Sequence, residues 1–412
     1  MKSAALLLAC LFMASVHAEN PETYDANPEH PWNRLSAALH TEDPLSFDPP
    51  GQYEARVLTG DPYEKALKTL DDFLAHHGEK SIKDPVKRAL LQSELWATFD
   101  QVSDATGGEQ AARWEIARRC AAIIKRLALS DAEIAALPDN YAIAVKNKEF
   151  PVAYDPAHPE SAFLPPDLLV DGRPWIMLSA SATEILDPAA IQHVKATQGR
   201  AVFYALVRLP AGRQATLAYL KELAAFPQPY VSNDMFKVYP YARSAVSFNP
   251  DLPQFPAGTQ AALVRRMVLI NSSGALVATP VIESIQIRVY VKDPKEAQPG
   301  EMENQNFYEL RLAPDELFKA KGGLRASTDQ VPASRLTFAK MNLFSTRGGC
   351  NDCHGGAGVM SLNTYTHAFG SFPNSPWFEP ASLSSQDTNT LNWKKRDYTW
   401  GLLSALLAQS NQ

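Results

Sequence analysis

Ser284-Ile-Gln-Ile-Arg-Val-Tyr-Val291 alternates strictly between polar positions and aliphatic ones. Successive side chains of a β-strand point to opposite faces of a sheet, so this pattern predicts a strand with one buried face and one wet face. Tyr308-Glu-Leu-Arg-Leu312 repeats the alternation. Leu263–Ile270 and Leu276–Thr279, joined by the turn Asn271-Ser-Ser-Gly274, predict a hairpin. The centre of the chain is therefore predicted to be antiparallel β structure.

Helical patterns flank this β-rich region. Asp61-Pro62-Tyr63-Glu64 places Asp at an N-cap, Pro in the first turn and Glu three residues later, which are residues that helix starts favour. Asp84-Pro85 and Ser130-Asp-Ala-Glu133 give similar start signals. Apolar periodicity predicts further helices over about Glu109–Leu127, Pro314–Lys321, Leu336–Phe344 and Thr388–Gln409.

The predicted fold class is α+β, with a Pro-rich stretch after Pro151 marking a change from helical to β-rich composition. We divide the chain into four segments: residues 1–18, an export signal; 19–150, a helical domain with an extended N-terminal arm; 151–312, a mixed α/β and mainly antiparallel β domain; and 313–412, a small helical domain.

Composition restricts the classes of function. With 45% hydrophobic and 20% charged residues, the 412-residue chain has the composition of a soluble globular protein. Its formal net charge of −6 does not suit a nucleic-acid-binding surface, so no nucleic-acid partner is predicted. After the first 18 residues no apolar run is long enough to predict a transmembrane helix.

The N-terminus has the parts of an export signal. A charged start at Lys2 precedes the apolar run Ala4–Val16, and Val16-His17-Ala18 offers small residues before a cleavage site. We predict cleavage after Ala18 and a periplasmic or secreted protein. Leu7-Leu8-Ala9-Cys10 is the alternative, because it resembles a lipoprotein processing site that ends at Cys10.

The strongest chemical signal is Arg347-Gly-Gly-Cys350-Asn-Asp-Cys353-His354-Gly-Gly-Ala-Gly358. Cys-x-x-Cys-His is the attachment motif of c-type haem. Residues three and four apart share one face of a helical turn, so Cys350, Cys353 and His354 can address one ligand. Two thioethers from the cysteines and iron ligation by His354 would hold one covalent haem.

Cleavage after Ala18 leaves three cysteines, an odd number for an oxidising compartment. Cys120 lies in a helical pattern and is predicted to be a small buried residue, which leaves Cys350 and Cys353 available to haem. Three other interpretations stay open: a zinc site, a redox dithiol and a structural disulfide. A zinc site would need a second pair of ligands, which the sequence lacks. A redox dithiol of the thioredoxin type expects a βαβ setting, and a structural disulfide leaves His354 without a role.

The stretch from about Leu336 to Gly355 resembles the start of class I c-type cytochromes. In that family an amphipathic helix, here Thr337–Phe344, leads into the Cys-x-x-Cys-His motif. The resemblance implies a cytochrome-c-like haem domain in residues 313–412, with a terminal helix carrying Tyr398 and Trp400 packed against the motif helix. The family also supplies a distal Met well after the motif, whereas this chain has no Met after Met360.

His367 is the candidate distal iron ligand that we favour, and Met360 is a less favoured one. A chain leaving His354 must go around the macrocycle edge, a detour on the order of 20 Å, while extended chain spans at most about 3.3–3.6 Å per residue. Met360 lies six residues after His354 and would need a taut chain; His367 lies thirteen residues after it and has slack. An upstream ligand or an open site is the remaining alternative.

These residues predict an exported mono-haem protein that transfers single electrons to a redox partner protein. A haem enzyme or gas sensor with an open distal site is one alternative, and a non-haem secreted binding protein is another. The basic run Lys394-Lys395-Arg396 is predicted to be a solvated helix face, with contact to haem propionates or an acidic partner as its alternative.

Overall fold

A computed structural model describes residues 25–39, 62–104, 110–179, 190–227, 230–232, 246–249, 251–292, 305–326, 358–362 and 379–409. These residues form an α+β fold, as predicted, in which helices pack on both faces of an antiparallel sheet. The predicted export signal and the predicted helix Leu336–Phe344 lie outside the described residues.

The helices of the described chain are α1 (Pro31–Leu39), α2 (Pro62–Ala75), α3 (Pro85–Asp104), α4 (Gln110–Leu127), α5 (Asp131–Ala135), α6 (Asn140–Asn147), α7 (Ile191–Ala196), α8 (Arg213–Ala225), α9 (Pro314–Leu317), α10 (Leu383–Lys395) and α11 (Tyr398–Gln409). Short 3-10 turns occupy Gly78–Ser81 and Gly358–Ser361. Within the described parts of the chain, no helix is both long and apolar enough to cross a membrane.

The strands are β1 (Ile176–Ser179), β2 (Ala201–Arg208), β3 (Tyr230–Ser232), β4 (Val246–Phe248), β5 (Gln260–Ile270), β6 (Leu276–Tyr290), β7 (Gln305–Leu312), β8 (Leu324–Ala326) and β9 (Glu379–Ala381). Seven of them form one sheet in the order β8-β7-β6-β5-β2-β1-β9, and every neighbouring pair is antiparallel. Strands β3 and β4 form a separate pair.

The predicted hairpin is the centre of this sheet, but its second strand is longer than predicted. Strand β6 continues through Pro280, which has no N–H to give to a neighbouring strand. The pairing with β5 shifts between Ala278 and Ile282, where extra residues of β6 lie opposite Met267. The Thr279 hydroxyl donates to the Met267 carbonyl oxygen at 3.1 Å. The irregularity thus admits proline inside a central strand.

Helix start signals are confirmed where the structure describes them. Ser130 and Glu133 form a capping box in which each side chain accepts from the other residue's backbone N–H. The Asp84 carboxylate accepts from the Val86 N–H at 2.8 Å at the start of α3. These contacts satisfy backbone donors that have no partner within a helix.

The two faces of the sheet support separate cores. On one face, Val202, Tyr204 and Leu206 of β2 join the main core, which includes buried residues of α1–α6 and α11. On the opposite face lies a second core, which we define by Leu178, Val207, Tyr219, Leu220, Leu223, Leu252, Phe255, Tyr290 and Val359. The alternation of buried side chains along β2 explains how one strand contributes to both.

The predicted wet face of β6 and β7 is partly covered. Arg288 is 7% exposed and Glu309 is 6% exposed. Arg288 lies over the Phe307 ring at 4.8 Å, and the Gln286 amide donates to Glu309 at 3.2 Å. Cross-strand pairing of the polar side chains therefore accompanies their burial.

The single C-terminal helix predicted over Thr388–Gln409 is wrong, because the chain forms α10 and α11 instead. The break follows Lys395, and the Asp397 carboxylate accepts from the Thr399 N–H at 2.8 Å at the start of α11. Helix α11 packs on α3 and α4, and Leu403 and Leu407 are buried in the main core. That core extends from Trp32 to Leu407, so described parts of all three predicted domains share it. The domain boundaries themselves stay predictions.

Two buried amide side chains replace missing strand neighbours in the sheet. Gln92 of α3 donates to the Ile270 carbonyl oxygen and accepts from the Ile270 N–H, both at 2.9 Å. Asn140 of α6 makes the same pair of bonds to Ile282, at 2.9 and 2.7 Å. Ile270 lies beyond the end of the β2 pairing, and Ile282 lies before the start of the β7 pairing. Each amide therefore satisfies the backbone N–H and carbonyl of a residue that has no neighbouring strand on that side in the described sheet.

We expect Asn140→Ala to lower the free energy of unfolding by about 1–3 kcal/mol, because it leaves the Ile282 N–H and carbonyl buried without these partners. Urea unfolding measures the change. Asn147→Ala in the same helix is the matched control, because Asn147 is exposed and bonds only to Glu149 among the described contacts. Equal losses in the two variants would contradict the role given to Asn140.

Candidate functional site

The predicted haem ligands fall largely outside the described chain. Cys350, Cys353, His354 and His367 are not among the described residues. The main chain of Met360 lies in the 3-10 turn Gly358–Ser361, and its side chain is not described. Among the residues that the structure does describe, no three His, Cys, Asp or Glu side chains form a metal-binding group.

The chain just after the motif is attached to the second core. Gly358 adopts φ 55°, a backbone conformation that glycine tolerates, and opens the 3-10 turn. Val359 is only 1% exposed and belongs to the second core. Its N–H donates to the Gln254 side-chain oxygen at 3.4 Å. These contacts fix the main chain four residues after His354.

A buried hydrogen bond joins this turn to the sheet. The Tyr290 hydroxyl lies 2.5 Å from the Ser361 hydroxyl oxygen, and both side chains are fully buried. Ser361 donates its own proton to the Gly358 carbonyl oxygen at 2.8 Å, so Tyr290 is the donor in the shared bond. Burial raises the pKa of Tyr290, so the phenol keeps its proton near neutral pH. The alternating pattern of β6 predicted a strand here, but no sequence signal paired Tyr290 with Ser361.

Strand directions show where the chain leaves and rejoins the described structure. β8 and β6 are both antiparallel to β7, so they run in the same direction. The direction of β8, which ends at Ala326, is therefore toward the end of the sheet at which β6 reaches Tyr290. The chain is next described at Gly358, beside Tyr290, and then at β9 on the opposite sheet edge. Along the sequence, the predicted haem motif comes between Ala326 and Gly358.

Lys394, predicted to lie on a solvated helix face, is instead completely buried. Its ammonium Nζ lies 3.2 Å from Asp100 Oδ2 and 3.0 Å from Thr399 Oγ1. The Nζ atom also lies 5.5 Å from the centre of the Trp96 ring. Lys395 and Arg396 are exposed, as predicted. Lys394 lies four residues after the buried Thr390, on the inward face of α10, which the basic run alone did not indicate.

Asp100 is shared between two cations. Arg200, just before β2, donates from Nη1 to Asp100 Oδ2 at 2.8 Å, and both side chains are buried. Asp397 supplies a second carboxylate 3.7 Å from the Lys394 Nζ. Burial lowers the pKa of Lys394, while Asp100 and Asp397 oppose that shift. We call Asp100, Arg200, Lys394 and Asp397 the charged cluster.

The charged cluster has a structural role. A lysine with no exposed side-chain surface cannot meet a substrate or a haem propionate, and its ammonium protons are directed to neighbouring oxygens. Arg265 and Glu283 form another buried pair, with Nε and Oε2 2.9 Å apart. Burial raises the pKa of Glu283, and Arg265 and Arg200 oppose that shift. Opposite charges therefore compensate one another inside the protein.

A second polar contact holds α10 on the sheet. The Tyr204 hydroxyl of β2 donates to the Asp387 carboxylate, and Arg266 Nη1 donates to the Tyr204 hydroxyl oxygen at 2.7 Å. Arg266 Nη1 also lies 3.2 Å from Asp387 Oδ2. The fully buried residues of α10 are likewise polar, namely Gln386, Thr390 and Lys394 at intervals of four. Polar contacts thus hold this helix on the sheet together with the partly buried side chains of Leu383, Leu391 and Trp393.

The aromatic residues of the last helix have a role that the cytochrome resemblance did not predict. Trp400 packs in the main core, with its ring centre 6.1 Å from that of Trp96 in α3. Tyr398 is 74% exposed. The described contacts of Trp400 therefore join the C-terminus to the N-terminal helices.

Cys120 is a free, fully buried cysteine in α4, as predicted. Burial raises the pKa of its thiol to about 12. A buried thiol that stays protonated neither attacks a disulfide nor binds a metal, because both reactions use the thiolate. Cys120 is therefore not a competing partner for Cys350 or Cys353 in the folded protein.

We expect Lys394→Met to lower the free energy of unfolding by about 3 kcal/mol, the lower end for breaking a buried ion pair, because Arg200 still compensates Asp100. Urea unfolding of the two proteins gives the difference. Lys395→Met is the matched control, since that side chain is exposed and should leave stability close to wild type. A Lys394→Met protein as stable as the control would show that the buried pair adds no net stability.

Known proteins offer no match for this chain. No family model matches the sequence, no curated protein is similar to it, and no solved structure resembles it at a significant level. The features of this chain that bear on its function are the motif at 350–354, the docked turn at 358–362 and the buried thiol of Cys120.

Proposed function

We propose that this chain is an exported mono-haem c-type protein, with haem joined covalently to Cys350 and Cys353 and its iron bound by His354. The observation that carries the proposal is the Cys-x-x-Cys-His motif itself, which supplies two thioether donors and an axial imidazole at the required spacing. When bound, the haem supplies an iron that accepts and releases one electron.

The burial of Cys120 supports this use of the other two cysteines. In a mature chain that begins at Glu19, three thiols remain, and the Cys120 thiol is shielded with a raised pKa. Cys350 and Cys353 can then either form a disulfide with each other or attach haem. A disulfide between them gives His354 no task, whereas haem attachment uses all three residues.

We propose that the haem lies near the end of the sheet marked by Tyr290. Four residues separate His354 from Gly358, and extended chain spans at most about 3.6 Å per residue, so the two Cα atoms lie within about 14 Å of each other. Gly358 begins the turn that packs on the second core. Within the predicted 313–412 domain, α9, β8 and β9–α11 pack on the rest of the fold.

One-electron transfer to a redox partner protein is the function that we propose for this haem, in the periplasm or outside the cell. Export rests on the signal-like residues 1–18, with lipid attachment at Cys10 as the alternative. Lys395 and Arg396 are exposed beside the buried Lys394, and they offer a basic contact for an acidic partner.

A haem enzyme or gas sensor is the second candidate, favoured by one observation. The chain has no Met after Met360, so the distal Met typical of class I electron carriers is missing. Met360 is the less favoured ligand: it lies six residues after His354, and the 3-10 turn shortens the last part of that stretch, so the chain between them would be taut. His367 remains the distal ligand that we propose.

Covalent attachment predicts that haem stain travels with the polypeptide in a denaturing gel, after expression with the c-type haem attachment machinery. Cys350→Ser combined with Cys353→Ser should abolish the stain. Cys120→Ser is the matched control and should retain it, because that thiol is buried away from any ligand. Haem that acid-acetone extracts from the wild-type protein would refute covalent attachment.

Replacing His367 tests the distal side of the iron. If His367 is the ligand, His367→Ala should convert a low-spin ferric spectrum to a high-spin one and create cyanide or CO binding, because a coordination position opens. His158→Ala is the control substitution, because the His158 side chain is exposed, and it should leave the spectrum unchanged. A low-spin spectrum that persists in His367→Ala would exclude His367. A wild-type protein that is already high-spin and binds CO would favour the enzyme or sensor.

A further inference from the structure

The turn that follows the predicted haem motif is bonded to Tyr290, whose own main chain and ring are held by the fold. The backbone N–H of Tyr290 donates to the Thr259 carbonyl oxygen at 2.9 Å, and its carbonyl oxygen accepts from the Gly258 N–H at 2.7 Å. Its ring packs on Phe255 with centres 5.0 Å apart. The main chain and the ring of Tyr290 are therefore both held, which leaves its hydroxyl at a defined position.

That hydroxyl determines where the turn docks. Tyr290 donates to Ser361, and Ser361 in turn donates to the Gly358 carbonyl oxygen, so one chain of two hydrogen bonds runs from the sheet to the first residue of the turn. Both hydroxyls are buried, and a buried hydroxyl that loses its partner is costly. The bond therefore selects one position of the turn against others that apolar packing of Val359 alone would allow.

We propose that Tyr290 is a positioning residue for the haem: through Ser361 it fixes the chain four residues after His354 and so restricts how that imidazole is presented to the iron. The inference rests on the proposed function. Outer contacts that orient a ligating histidine tune the metal that it binds, and they do so without touching the metal. Tyr290 would act on the haem through the main chain.

The test uses three single variants of the full-length, haem-loaded protein and the double variant that combines Tyr290→Phe with Ser361→Ala. Tyr290→Phe and Ser361→Ala each remove the shared bond by removing one hydroxyl group, and each leaves the rest of the side chain unchanged. Tyr219→Phe is the matched control: Tyr219 lies in the same core and packs on Phe255, but its hydroxyl donates to the Pro253 carbonyl oxygen at 2.9 Å. All three remove one tyrosine or serine hydroxyl from the second core or its turn.

We expect Tyr290→Phe and Ser361→Ala to keep covalent haem but to shift its midpoint potential and alter its Soret circular dichroism. The double variant should shift the potential no further than the larger single shift, because Ser361→Ala already removes the bond that Tyr290→Phe removes. Tyr219→Phe should leave both haem readouts unchanged, even where its stability in urea falls. If Tyr290→Phe does not fold, Ser361→Ala decides by the same readouts.

A haem potential and Soret signal that match wild type in Tyr290→Phe or Ser361→Ala, whatever the change in stability, would overturn the inference. Equal shifts in Tyr219→Phe would overturn it as well, since the effect would then be general to the core. Failure of the proposed function would give a different result: the wild-type protein would show no covalent haem stain. That result would refute the positioning role as well.

Discussion

The buried carboxylate of Asp100 is the constraint on which the arrangement of the chain depends. It lies on α3, yet it compensates Arg200 at the start of β2 and Lys394 at the end of α10. Three parts of the chain that are far apart in sequence therefore meet at one charge. A buried ion that loses its counter-charge is destabilising, so each of the three segments is held in place by the other two.

The described structure on either side of the predicted haem segment belongs to the sheet. Strand β8 pairs with β7 on one edge of the sheet, and β9 pairs with β1 on the other, where α10 and α11 then return to the helical face. Between them, the turn at 358–362 is attached to the second core through Tyr290 and Val359. The proposed haem would thus be carried by a stretch of chain that is secured on either side, and the rest of the protein would serve as its support.

Local signals in the sequence predicted the local structure well. The capping box at Ser130 and Glu133, the contact of Asp84 with the Val86 N–H and the turn before Gly274 depend on residues close together in sequence, and all three are present. The burial of Cys120 also followed from its helical, apolar setting. In each case the deciding interactions are formed by neighbours along the chain.

Contacts between distant residues could not be predicted in this way. Lys394 has basic neighbours, and only Asp100, 294 positions earlier, explains its burial. Pro280 argues against a strand until the irregular pairing opposite Met267 is known. At the break between α10 and α11, Asp397 lies 3.7 Å from the buried Lys394 ammonium. The partnership of Tyr290 with Ser361 likewise joins two ordinary residues that only the tertiary fold brings together. The motif at 350–354 needed no such information, because its chemistry lies in its spacing.

Mass spectrometry of the tryptic peptide that contains the motif tests the central claim most directly. After Arg347 the next Lys or Arg is Lys394, so residues 348–394 form one peptide that holds Cys350, Cys353 and His354. We predict that this peptide, prepared from wild-type protein matured with the haem attachment machinery, carries the mass of one haem. The same peptide found without haem, either with two free thiols or two hydrogens lighter as a disulfide, would contradict the account.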